Sequence, residues 1–151
     1  PAASLNLLYY TIDTAKDSLR AAPEICVNFF RSGAPPTAAP GFSKRFASQP
    51  DRLFQLNESL IKSAYEPAPA HGAEKLSRDE AEKTVAAIWE SILKEHPELT
   101  SAYRRFGSGP TTSETQRDVC ELFLLFVEAL RTLPPGHDAE VYAYLGGAGA
   151  H

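Results

Sequence analysis

Prolines and glycines cut this chain into short pieces, and between the cuts apolar residues recur at helical rather than strand spacing. A chain punctuated in this way can bury its apolar residues only by packing several short helices on one another. Leu5, Leu8, Tyr9, Ile12, Ala15 and Leu19 follow Ser4 at i, i+3, i+4 and i+7, which predicts a first helix with Ser4 as its cap. Pro23 then opens a segment through Ile25, Val27, Asn28, Phe29 and Phe30 that fits a short helix or a strand. Residues 33–41, GAPPTAAPG, read as a loop, because proline removes backbone donors and fixes φ. A further helix is predicted from Pro50 and Asp51, burying Leu53, Leu56, Leu60, Ile61 and Ala64 and ending before Pro67. Residues 66–76 read as a linker.

The second half carries clearer signals. Ser77 and Glu80 form a capping box in which serine accepts an orphan amide and glutamate reaches back to the cap. Ala81, Val85, Ile88, Trp89 and Ile92 continue as an amphipathic helix to Glu95, and Pro97 restarts a short one through Leu99, Ala102, Tyr103 and Phe106 before the stop at 107–110. Ser113 with Gln116 offers a second capping box, and 119–130, VCELFLLFVEAL, is apolar on more than one face and therefore belongs at the centre. Pro134, Pro135 and Gly136 end that helix. Asp138 then caps a last one through Val141, Tyr142 and Leu145, stopped by Gly146 and Gly147. The expectation is an all-α fold, a compact bundle of about six to seven helices in a single domain over 1–151.

A shift of 74 positions lays 19–37 over 93–111 with seven identities: Leu19/Leu93, Pro23/Pro97, Glu24/Glu98, Arg31/Arg105, Gly33/Gly107, Pro36/Pro110 and Thr37/Thr111. Allowing a shorter second loop also brings Leu53-Phe54 over Leu122-Phe123. Two readings fit: an internal duplication, 4–66 onto 77–133, giving two pseudo-symmetric halves, or a repeated local motif alone.

Composition narrows the function classes. A content of 43% apolar and 23% charged residues in 151 is that of a soluble globular domain; no signal peptide marks the sequence as given, which leaves a removed presequence open, and an intracellular setting is expected with the compartment unassigned. With a net charge of -4 and Lys and Arg scattered among acids, nucleic acid is not an expected partner. The longest apolar run, Leu122 to Val127, is too short for membrane insertion. Cys26 and Cys120 are too few and too distant in sequence for a zinc site or a disulfide framework, so buried free thiols are expected.

No motif brings catalytic groups together. The four histidines lack ligand spacing, no GxSxG elbow exposes a serine, and GSGP has no following Lys-Ser/Thr. Ile92, His96-Pro97-Glu98, Tyr103 and Phe106, with Trp89 ahead of them, resemble the helix corner of globins that leads to their haem-contacting phenylalanine. That family would next require distal and proximal histidines, but only His137 and His151 follow, so haem is rejected and no cofactor is predicted. A free Pro1 resembles the N-terminal base of tautomerase-type enzymes, whose folds need strands that this chain does not signal. An enzyme using Pro1 therefore ranks third.

What remains is an aromatic surplus on helical faces. Phe29, Phe30, Trp89, Tyr103 and Phe106, with the repeated Arg31 and Arg105, are the candidate binding residues. The first expectation is a non-enzymatic helical interaction protein, self-associating or serving as a small subunit or adaptor, with a protein partner or a second copy. The alternative is a helical carrier or sensor holding an apolar small molecule or pigment between helices.

Overall fold

The computed structural model describes residues 2–32, 36–65, 76–105 and 112–148. Among these are α1 (Ala2–Ala21), α2 (Pro23–Ser32), α3 (Phe42–Ala47), α4 (Pro50–Tyr65), α5 (Arg78–Glu95), a 3-10 turn (Pro97–Leu99), α6 (Thr100–Arg105), α7 (Ser113–Leu130) and α8 (His137–Ala148), with no strand. The all-α bundle is therefore observed, with one more helix than the upper expectation. The addition is α3, a six-residue helix too short to show a period; buried Phe42 anchors it, and Gly41 before it takes a φ of 73° that a side chain would oppose.

α7 organises the molecule. It buries Val119, Cys120, Leu122, Leu124, Phe126, Val127 and Leu130, and packs against α1, α2, α5 and α6. One side, with Val119, Leu122, Phe126 and Leu130, meets Ile88, Ile92, Leu99, Ala102 and Val141. The other, with Cys120, Leu124 and Val127, meets Ile12, Ala15, Leu19, Cys26, Ala39 and Phe42. Its sequence is apolar on more than one face because it is the shared wall of both clusters. Each such buried side chain contributes roughly 1.5–3 kcal/mol, so α7 outweighs every surface contact described below.

Local signals fared unevenly. The Ser77–Glu80 capping box is present in both directions. Pro23 and Glu24 sit in the first turn of a helix, which settles α2 against a strand. Ser4 is not a cap: Ala2 and Ala3, good helix formers, carry α1 back past it. The cap of α7 is Thr112, extended at φ -113° and ψ 154°, whose Oγ1 accepts from the Thr115 amide at 3.2 Å, so Ser113 is already helical. Gly146 and Gly147 do not stop α8, which runs to Ala148. Leu56 is half-buried and Ile61 exposed on α4, whereas Leu53, Leu60 and Ala64 lie outside the described side chains. The linker lies outside the described residues except for Leu76, as do the 107–110 stop and Pro1.

The cysteines correct the sequence reading outright. Cys26 of α2 and Cys120 of α7, both fully buried, form a disulfide with Cα atoms 5.7 Å apart. Separation along the chain says nothing of distance once α2 lies along α7. In the chain-entropy account, a link between residues 94 apart stabilises by about 4–5 kcal/mol through restriction of the unfolded chain. Replacing both residues, Cys26→Ala with Cys120→Ala, should lower stability by roughly 4 kcal/mol in urea titration. Protein unfolded without reductant should yield no titratable thiol, and two free thiols would contradict the assignment.

Candidate functional site

The aromatic residues singled out above fall into two groups joined by α7. Phe29 and Phe30 meet edge-on with centroids 5.0 Å apart, and Phe30 stacks on Phe123 at 4.5 Å. Trp89 stacks on Phe126 at 4.5 Å and tilts against Tyr103 at 5.3 Å. Between the groups, Trp89, Tyr103, Val119, Leu122 and Phe123 leave a slot of about 10 Å³, no more than one water needs. Phe29, Phe30 and Trp89 are half-buried packing residues, whereas Tyr103 keeps 39% of its surface exposed. Arg31 and Arg105 are exposed, and Phe106 lies outside the described residues. The structure thus brings Trp89 and Tyr103 together and joins Phe29 to Phe30, but it makes of them a packed seam.

Among the described residues, the large apolar side chains most open to solvent lie elsewhere. Phe54 is 71% and Ile61 61% exposed, seven residues and hence two turns apart on one face of α4. α4 packs on α1 and α3, and Arg52 lies over the Tyr10 ring at 5.8 Å. Glu58 and Lys62 pair at 2.8 Å beside the stripe. The sequence reading assigned Ile61 to the core and gave Phe54 no role; only the edge position of α4 exposes the pair.

A second surface feature runs between α5 and α7, a groove of about 520 Å³ open to solvent. Ile88, Ile92, Leu125, Ala129 and Leu133 supply its apolar lining, and Thr84, Ser91, Glu95, His96, Glu128 and Thr132 its polar atoms.

Charged groups line the contact between α1 and α7. Arg20 grips Glu121 through Nε at 2.9 Å and Nη2 at 2.6 Å, Lys16 bonds Glu128, and Arg131 meets Asp13 at 2.7 Å. The hydrogen bond from Arg20 holds the Glu121 carboxyl below the usual carboxylate range, and Lys16 does the same for Glu128. Arg131 also lies over the Tyr9 ring at 4.6 Å, and Tyr9 donates to Asp138 at 3.1 Å. Burial first, then the Asp138 charge, pushes the Tyr9 phenol well above its usual range, so it acts as a fixed donor and not as a base. Among the described residues, no three His, Cys, Asp or Glu side chains are grouped to hold a metal, and no helix is long and apolar enough to cross a membrane.

No family model, no curated protein and no solved structure matches the chain.

The ion pairs set an acid limb. Because the folded Glu121 carboxyl titrates below its unfolded value, its contribution is complete above that unfolded value and is lost as pH falls through the lower folded one. Both partners are a third or more exposed, so the pair is worth under about 1 kcal/mol. Glu121→Gln should therefore cost under about 1 kcal/mol at pH 7, and urea titrations should show that difference vanishing in strong acid.

Proposed function

We propose that the chain is a helical interaction protein whose docking face is the outer side of α4. The observation that carries this reading is the exposure of Phe54 and Ile61 together, since two large apolar side chains aligned on one helical face are an ordinary anchor pattern for a facing helix. The offset similarity lends support: Phe54 aligns with Phe123, which stacks on Phe30, so an equivalent aromatic on α4 lacks the cover its counterpart has. A second copy or a stoichiometric foreign subunit would supply that cover. The Phe29/Phe30 and Tyr103 faces take a supporting part, as seams that stiffen the body behind α4.

The disulfide supports an oxidising compartment as the place of work, in preference to the reducing interior of a mesophilic cell. The carrier reading in its enclosed form draws little from the aromatic slot, whose 10 Å³ is far below the few hundred Å³ of ordinary ligand pockets.

Native mass spectrometry of material from its own source tests the proposal. The expected mass is two chains, or one chain with a stoichiometric subunit. Phe54→Glu, at a site already solvent-exposed, should shift that mass toward the single chain and weaken the assembly at least tenfold, with the thermal midpoint of the isolated chain unchanged. A native mass of one chain alone at micromolar concentration would contradict it.

A further inference from the structure

The groove between α5 and α7 has a one-sided polar lining. Thr84 Oγ1 donates to the Glu80 carbonyl at 2.8 Å, Thr132 Oγ1 to the Ala129 carbonyl at 2.8 Å, and Ser91 Oγ to Glu95 at 3.5 Å. Each hydroxyl proton is thus taken up within its own helix, and each oxygen keeps the lone pairs with which it can accept. Glu95 and Glu128 add carboxylates, and Lys16, outside the lining, bonds only one of them. The His96 ring, which shares one nitrogen with Glu98 at 3.3 Å, is the single remaining donor, and no Lys or Arg is among the described lining residues.

An occupant that brings hydrogen-bond donors and positive charge matches this lining, whereas one that carries a carboxylate meets like charge at Glu95 and Glu128. The remaining lining is aliphatic. From Thr84 to Glu95 the groove follows α5 for about 16 Å at the helical rise per residue. Its volume of about 520 Å³ is that of a site for a small elongated molecule.

We propose that this groove is a binding site for an elongated apolar molecule bearing a primary ammonium group, its chain along Ile88, Ile92, Leu125 and Leu133 and its head at the Glu95 end. The site is independent of the α4 face. Glu95 and Ser91 accept from the ammonium, while Ala87 and Ala129, small residues on facing helices, leave room for the chain.

Titration of the isotopically labelled full chain with dodecylammonium and with dodecanoate, each below its micellar concentration, tests the site by amide chemical shifts. The expected result is saturable perturbation of residues 84–96 and 125–133, with dodecylammonium at least tenfold tighter than dodecanoate. Glu95→Gln should erase most of that preference. Ala87→Phe, at an exposed position, should fill the groove and abolish binding with the fold intact by its amide spectrum. Equal affinity for the two amphiphiles, shifts centred outside the groove, or undiminished binding to the Ala87→Phe variant would each overturn the proposal.

Discussion

The burial of α7 on two sides is the constraint on which the rest of the structure depends. A helix with apolar residues facing both Ile88 and Ile12 must have a wall on each side, and α1, α2, α5 and α6 supply those walls. Cys26–Cys120 ties one wall to it covalently, and the packing of Ile12, Ala15 and Leu19 against Leu124 and Val127 sets the alignment of α1 along it. The Arg20–Glu121 and Lys16–Glu128 pairs at the edge of that contact are partly exposed and stabilise little.

From that arrangement the surface follows. α1 presents one side to α7 and another to α3 and α4, so α4 packs one layer out from the centre. Its stripe of Phe54 and Ile61 is what such a position leaves over when a helix has apolar residues around more of its girth than one neighbour covers. The groove has a different origin. α5 and α7 converge on Trp89 and Phe126 and leave small residues, Ala87 and Ala129, along the side where the groove opens. One feature is an apolar excess and the other a shortage of side-chain volume, which is why they suit occupants of different chemistry.

Part of the fold was legible in the sequence through local chemistry. Ser77 with Glu80, Pro97 and the apolar density of 119–130 each foretold their structures, because caps, first-turn prolines and burial on several faces are written within a few residues, whereas Pro23 left helix and strand both open and Ser4, Ser113 and Gly146 lie inside helices they were expected to bound. The exposure of Ile61 was not legible, since period alone cannot say whether a neighbour covers a face. Neither was the disulfide, which depends on the placement of two helices far apart in the chain. Trp89 and Tyr103 were both singled out as aromatic candidates, but their contact with each other and the stacking of Trp89 on Phe126 were not legible, because those contacts depend on how α5, α6 and α7 meet.

Hydrogen–deuterium exchange of α4, compared between the isolated chain and the assembly formed in its own source, tests the central claim most directly. The account predicts that amides of 54–61 become markedly slower to exchange in the assembly, while those of α7, already enclosed, change little. Unchanged exchange in α4 alongside new protection elsewhere would contradict it.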